Sequence, residues 1–174
     1  MKLKLVVSAA TAAVAMTAAG GANAAVIDLG PITTSLTAFG GFAAPGPFID
    51  VFTFTVPANG GSDYAVTNFS LLPTLFTTAF TTFALVSNAD GLVGSGDDTV
   101  VASAFSAGDQ SMSLSFGASS GGAYFLAVGG VATGQIGGIY NGAISVTAVP
   151  EPETYAMMLA GLAALGFLAR RRQG

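Results

Sequence analysis

Residues 47–56 read Pro-Phe-Ile-Asp-Val-Phe-Thr-Phe-Thr-Val, with a large apolar residue at nearly every second position. Successive side chains of a β-strand point to opposite faces of the sheet. One face of this strand would carry, in order, Phe48, Asp50, Phe52, Phe54 and Val56. A bare buried charge is costly, so we expect Asp50 to accept hydrogen bonds, to reach solvent at the sheet edge, or to ligate a cation. The run therefore predicts a β-strand with an aromatic face turned toward a core.

The same alternation of apolar and polar residues recurs along the chain between residues 26 and 149. Short alternating runs are separated by Gly, Pro, Asn and Asp, and no stretch has the period of a helix. The predicted strands lie near 32–39, 47–56, 63–70, 80–87, 98–106, 110–116, 122–131 and 138–148. Eight short strands at this spacing predict an all-β fold, an antiparallel β-sandwich of jelly-roll type. A β-solenoid is the alternative, but the sequence has no fixed repeat period.

The N-terminus has the pattern of a secretory signal peptide. Lys2 and Lys4 precede an apolar stretch, 5–19, and the triplet 22–24, Ala-Asn-Ala, supplies small residues for cleavage. A retained N-terminal helix is the alternative. Cleavage after Ala24 divides the chain into a signal peptide, 1–24, a β-sandwich domain, 25–148, and a C-terminal segment, 149–174.

Residues 25–149 contain seven aspartates and no Glu, Lys, Arg, His, Cys or Trp. The resulting formal charge of −7 repels phosphate backbones and argues against nucleic-acid binding. Without His, Cys or Lys there is no thiolate, imidazole base or zinc-type site. A carboxylate pair remains conceivable, but Asp97 and Asp98 would point to opposite faces of a strand. The composition predicts a protein that is not an enzyme.

Oxygen-bearing side chains concentrate in one segment between residues 86 and 98. If Gly91 is taken as the sixth position of an EF-hand loop, Val86 falls at the first position, where an aspartate is needed. The EF-hand pattern therefore fails. A looser calcium site remains a candidate, as does simple turn formation by the same residues. The candidate calcium ligands are Asn88, Asp90, Asp97 and Asp98.

The last 26 residues, 149–174, combine three parts in a fixed order. A stiff triplet, Pro150, Glu151 and Pro152, is followed by an uncharged run, 155–169, and then by the arginines at 170–172. As a helix the run would be about 22 Å long, against a hydrocarbon core of about 30 Å. We predict a short transmembrane helix whose arginines, Arg170, Arg171 and Arg172, stay on the cytoplasmic side. An ordinary C-terminal membrane anchor is the alternative.

This ordered tail resembles the PEP-CTERM sorting signal of Gram-negative bacteria. The resemblance implies recognition by a membrane-embedded exosortase, cleavage near the triplet, and release to the cell surface or an extracellular polysaccharide matrix. The expected partners are the exosortase, the Sec export machinery and, transiently, the inner membrane. Tails of this type are also labelled as the C-terminal domain of an ice-binding protein, a label that does not by itself imply ice binding. The pattern Phe48-x-Asp50-x-Phe52 is similar to that of the FxDxF-type subfamily of PEP-CTERM proteins, which has no assigned chemistry.

Two functions from different classes follow. The first is a structural protein of the surface or the biofilm matrix, without catalytic activity. The second is a calcium- or carbohydrate-binding β-sandwich module, for which the tyrosines that could stack on sugars are Tyr64, Tyr124 and Tyr140.

Overall fold

Nine β-strands lie within the residues that the computed structural model describes, which are 24–70, 72–148, 157–163, 165 and 170. The strands are β1 (Val26–Pro31), β2 (Thr37–Ala43), β3 (Gly46–Val56), β4 (Asn59–Asn68), β5 (Thr78–Ser87), β6 (Thr99–Asp109), β7 (Ser111–Phe116), β8 (Gly122–Ala132) and β9 (Gly138–Ala148). They form a five-stranded sheet in the order β1-β3-β8-β5-β6 and a four-stranded sheet in the order β2-β9-β4-β7. The predicted all-β sandwich is confirmed.

The strand β3 has the alternation that its sequence predicts. Its residues Phe48, Asp50, Phe52, Phe54 and Val56 are all buried, and the four apolar ones belong to the core between the sheets. The other half of that core comes from the four-stranded sheet, and the rings of Phe39 and Phe52 meet across the interface at 4.8 Å. Full burial of an aromatic or aliphatic side chain contributes about 1.5–3 kcal/mol. This aromatic face of β3 is therefore a main source of stability.

A second apolar cluster lies on the outer face of the five-stranded sheet. It consists of Val51, Ala84, Val86, Phe125 and Ala127, and the partly buried Val93 packs against it. The segment that contains Val93 connects β5 to β6. This connection is therefore anchored on the sheet by an apolar contact.

The strand predictions were wrong at the start of the domain. The predicted strand 32–39 is mostly a connection, and the chain instead has one strand before it, β1, and one that begins at Thr37. The strand β1 pairs with β3 in parallel, whereas the other paired strands run antiparallel. A short edge strand that ends in Gly30-Pro31 reads as a turn in the sequence, because both residues are typical strand breakers.

The C-terminal segment is described only in part. A helix covers residues 157–163, and its residues are exposed. Among the described residues, no helix is long and apolar enough to cross a membrane. Most of the predicted signal peptide, the Pro150-Glu151-Pro152 triplet and much of the run 155–169 lie outside the described residues.

Candidate functional site

The buried carboxylate of Asp50 joins three parts of the fold. Asp50 is 4% exposed and lies on the inner face of β3. Its Oδ2 accepts a hydrogen bond from the hydroxyl of Tyr140, which lies on β9 in the opposite sheet. Its Oδ1 accepts a hydrogen bond from the backbone N–H of Ala25 at 3.0 Å, just before β1. Of the alternatives that the sequence left open, the structure therefore shows a hydrogen-bonded aspartate.

Aromatic rings surround the phenol of Tyr140. The ring of Phe48 stacks on it with a centroid distance of 5.6 Å, and Phe52 meets it edge-on at 6.4 Å. Phe80 of β5 makes a further edge contact at 5.9 Å. The three residues of the pattern Phe48-x-Asp50-x-Phe52 thus all bind one tyrosine. The two phenylalanines contact its ring, and the aspartate accepts a hydrogen bond from its hydroxyl. Paired aromatic rings add about 0.5–1.5 kcal/mol beyond the area that they bury.

The ionisation of Tyr140 is strongly disfavoured. Burial raises the pKa of this phenol well above its usual range, and the neighbouring Asp50 carboxylate raises the pKa further. Tyr140 therefore remains a hydrogen-bond donor to Asp50 at any physiological pH.

The strand β2 leaves room for the same ring. Gly41 pairs with Tyr140 across β2 and β9. A Cβ atom at Gly41 would lie 2.5 Å from the Tyr140 hydroxyl oxygen and 2.7 Å from the ring carbon that bears it. Only glycine fits at this position without a shift of the tyrosine.

We call residues 88–98 the acidic loop. In it, Asp90 Oδ1 accepts the N–H of Leu92 at 2.8 Å, and Asp97 Oδ2 accepts the N–H of Asp90 at 3.1 Å. The Ser95 hydroxyl donates to Asp97 and lies 3.2 Å from Asp90 Oδ1. The bond from Ser95 is the main reason why the pKa of Asp97 is lowered. The loop thus brings Asp90 and Asp97 together and satisfies them with its own donors.

The other two candidate calcium ligands differ from this pair. Asp98 Oδ2 accepts the N–H of Gly94 at 2.6 Å, but its Oδ1 is buried and has no hydrogen-bond partner. Asn88 is 2% exposed, and its Oδ1 also lacks a partner. Within the described ranges, no group of three or more His, Cys, Asp or Glu side chains has an arrangement that could hold a metal ion. The acidic loop therefore has the geometry of a turn, with two unsatisfied oxygens.

An open cleft of about 380 Å³ lies beside the acidic loop. Asn88 and Gly91 line it together with Asp28, Thr53 and Tyr124. Asp28 is already engaged, because its Oδ1 accepts the N–H of Gly30 at 2.9 Å and the hydroxyl of Thr53 at 3.3 Å.

The three tyrosines that the sequence suggested as sugar platforms are buried. Tyr64, Tyr124 and Tyr140 are 2%, 8% and 1% exposed. A sugar stacks on an exposed ring face, so these residues do not offer a stacking surface.

The comparisons with known proteins identify the C-terminal segment. The family model of the PEP-CTERM protein-sorting motif matches residues 148–172. The chain carries a PEP-CTERM sorting domain. The predicted sorting signal is thereby confirmed, while membership of the FxDxF-type subfamily stays a prediction. A PEP-CTERM tail marks an exported protein that an exosortase processes.

The comparison with curated proteins found no match. Among solved structures, this chain is similar to the pre-peptidase C-terminal domain of collagenase from Bacillus anthracis. The identity is 19%, the match covers 72% of this chain and 95% of that chain, and the TM-score is 0.42. It is also similar to PliG of Aeromonas hydrophila, a periplasmic lysozyme inhibitor of g-type lysozyme, at 14% identity. That match covers 73% of this chain and 100% of the other, with a TM-score of 0.36.

The residues of the PEP-CTERM tail are described unevenly. Arg170 is helical and exposed, whereas Pro150, Glu151, Pro152, Arg171 and Arg172 lie outside the described residues. The family model spans these positions, and the role of each residue in sorting stays a prediction from the sequence.

The sequence did not indicate three residues around Asp50. Ala25 and Tyr140 donate hydrogen bonds to its carboxylate, and Gly41 makes room for the Tyr140 ring. The alternation along β9 does predict that Tyr140 points inward, since Ile144 and Val146 share its phase and are buried. Nothing in the sequence indicates that its hydroxyl meets Asp50, because the two residues are 90 positions apart.

Proposed function

We propose that this exported PEP-CTERM protein is a non-catalytic structural component of the cell surface or of an extracellular polysaccharide matrix. Its path would be export through the Sec machinery with removal of residues 1–24, transient insertion of the run 155–169 in the inner membrane, and release by an exosortase. The segment 25–148 would be the delivered β-sandwich domain of a Gram-negative bacterium.

The observation that carries this proposal is how the domain uses its carboxylates. Six of its seven aspartates accept hydrogen bonds from the domain's own groups. A glycosidase-type carboxylate pair needs an open space between the two groups for a sugar and, in inverting enzymes, a water. The most buried carboxylate, that of Asp50, instead faces the Tyr140 hydroxyl inside the core. The acidic side chains in the described part of the chain are therefore used within the fold, which supports a structural role.

The outward-facing strand surfaces support a structural role. On β7, for example, Ser111, Ser113 and Ser115 are exposed, while Met112 and Leu114 point into the core. Small hydroxyl side chains donate and accept hydrogen bonds and give this strand a hydrated outer face. Such a surface suits a protein that is embedded in a hydrated matrix.

Processing of the tail tests the route to the surface. In a host with an active exosortase, the wild-type chain should appear outside the cell with a mass reduced at its C-terminus. Replacing Pro150 and Pro152 with Ala restores the N–H groups and the helical backbone conformation upstream of the run, so recognition of the triplet should fail. Pro45→Ala is the control, because Pro45 is an exposed residue in a bend of the domain. If the double variant reaches the medium with the wild-type mass, the proposed route is wrong.

The second candidate function, calcium binding by the acidic loop, is favoured by one observation. The buried Oδ1 atoms of Asn88 and Asp98 have no hydrogen-bond partner, and amide and carboxylate oxygens are ligands that calcium prefers. Calcium at a hundredfold excess over its dissociation constant would stabilise the fold by about 2.7 kcal/mol. The measurement is the melting temperature with calcium and with chelator, for the wild type, for Asp97→Asn/Asp98→Asn, and for the control Asp109→Asn.

A calcium-dependent shift that disappears only in the double variant would support the second function. Equal melting temperatures of the wild type in calcium and in chelator would exclude the ion from the loop. Carbohydrate binding is tested by calorimetry with purified exopolysaccharide. A purely structural protein should show no heat of binding with calcium or with the exopolysaccharide.

A further inference from the structure

We propose that Asp50 binds the α-ammonium group that forms at Ala25 when the signal peptide is removed. The inference rests on the proposed removal of residues 1–24, and it gives the buried aspartate of β3 a cation that the mature chain itself supplies. Asp50 is then the counter-ion of the mature N-terminus.

The backbone of Ala25 is already held at the required position. Its nitrogen lies 3.0 Å from Asp50 Oδ1, and its carbonyl oxygen accepts the N–H of Val51 at 2.7 Å. The next residue, Val26, is in register with Val51 in the parallel pairing of β1 and β3. Two hydrogen bonds and the strand register therefore fix the Ala25 nitrogen beside the carboxylate. Cleavage of the bond between Ala24 and Ala25 requires no movement of that nitrogen.

The cleavage changes the charge of this nitrogen but not its place. Water adds across the Ala24–Ala25 peptide bond, so that the Ala24 carbonyl becomes a carboxylate and leaves with the signal peptide. The Ala25 nitrogen becomes a primary amine, which takes a proton from solvent. A neutral amide donor to Asp50 thereby becomes a cationic one, which adds a Coulomb attraction between two opposite charges to the existing hydrogen bond.

No side chain of the domain can supply this positive charge. The sequence has no Lys, Arg or His between residues 25 and 149. The two donors to Asp50 are otherwise neutral, the Tyr140 hydroxyl and the Ala25 N–H. An opposite charge close to a carboxylate favours its ionised form. Before cleavage the domain therefore lacks the cation that its core carboxylate can pair with, and afterwards it has one.

The chain offers an unusually clean probe of this pairing. Its only lysines are Lys2 and Lys4, both in the predicted signal peptide. In the mature chain from Ala25 to Gly174, the α-amino group is then the only primary amine. An amine-acetylating reagent reacts with the neutral amine, and one unit of pKa elevation lowers the neutral fraction about tenfold. The rate of acetylation, followed by mass spectrometry, therefore reports on this one group.

The experiment compares acetylation of the mature chain in its folded state and in denaturant. We expect the folded wild type to react at least about tenfold more slowly, since each pKa unit gives such a factor. Asp50→Asn should lose this protection, and the control Asp28→Asn should keep it, because Asp28 binds Gly30 and Thr53 instead. A chain that begins at Ala24 retains Asp50 but moves the amine one residue away, so it should also react at the unprotected rate.

The acetylation rates test the pairing of the N-terminus with Asp50, whereas the mass of the exported chain tests the removal of residues 1–24. If the folded wild-type amine reacts as fast as in denaturant, or if the chain that begins at Ala24 is equally protected, the pairing with Asp50 is wrong. The chain that begins at Ala24 keeps its Asp50, so it decides the matter even if Asp50→Asn does not fold. An exported chain whose mass shows a different first residue would refute removal of residues 1–24, independently of the acetylation rates.

Discussion

Tyr140→Phe isolates the bond between the two sheets from the packing around it. The substitution keeps the ring that contacts Phe48, Phe52 and Phe80 and removes only the hydroxyl that donates to Asp50. Asp50 is 4% exposed, so water cannot readily replace the lost donor. A hydrogen bond to a charged group contributes about 1.5–3 kcal/mol. We expect the free energy of unfolding to fall by that amount.

The matched control is Tyr64→Phe. Tyr64 is also buried, at 2% exposure, but its hydroxyl donates to the neutral Ser62 side chain at 2.9 Å. A neutral hydrogen bond contributes about 0.5–1.5 kcal/mol. Urea unfolding of the two variants and the wild type measures both losses, provided that the denaturant dependence of the free energy is unchanged. If Tyr140→Phe costs no more than Tyr64→Phe, the Asp50 carboxylate does not strengthen the bond between the sheets.

Two further predictions concern the same tyrosine. Gly41→Ala should destabilise the fold by about 1–3 kcal/mol through overpacking, since its Cβ would lie 2.5 Å from the Tyr140 hydroxyl oxygen. Gly96→Ala meets nothing within 4 Å and should shift the melting temperature little. The second of these predictions concerns pH. Burial raises the pKa of Tyr140 and of Tyr64 in the folded state, so the unfolded chain loses these protons first. Their contribution to stability is complete below about pH 10, the ordinary tyrosine pKa, and is lost as the pH rises further. A melting temperature that is constant through that range would contradict this.

The sequence could predict which residues of β3 point inward, because one face of this strand is buried in a large core. Five residues at alternate positions, from Phe48 to Val56, are buried as their spacing indicates. The outer face was harder to predict, since Val51 is also buried there under the connection that contains Val93. Alternating apolar residues predict one buried face of a strand. They do not show that a loop covers the opposite face.

The start of the domain could not be predicted for a different reason. The strand β1 pairs with β3, but its sequence is mixed: Val26 and Ile27 favour strands, whereas Asp28 and the final Gly30-Pro31 are of types depleted in strands. The contacts of Asp50 are equally non-local, with Ala25 25 residues before it and Tyr140 90 residues after it. The sequence therefore predicted that Asp50 needs partners, but the fold decides which partners it has.

The acidic loop was predicted as a group of residues but not in its internal arrangement. The sequence grouped Asn88, Asp90, Asp97 and Asp98 as candidate ligands, and the structure joins Asp90 and Asp97 through Ser95. Asn88 instead lines the neighbouring cleft. Hydrogen bonds from backbone N–H groups to aspartate are set by the turn geometry, which a list of residue types does not contain.

The position of the last strand has a consequence for the timing of folding. The strand β9 lies inside the four-stranded sheet, between β2 and β4, and not at its edge. The sheet therefore cannot close until residues 138–148 have joined it, however early β2 and β4 are synthesised. Sheets built from such distant segments fold slowly, because a long loop must be closed before its contacts are gained. The sorting motif begins at residue 148, where β9 ends, so the domain completes its fold only as the tail that directs its processing arrives.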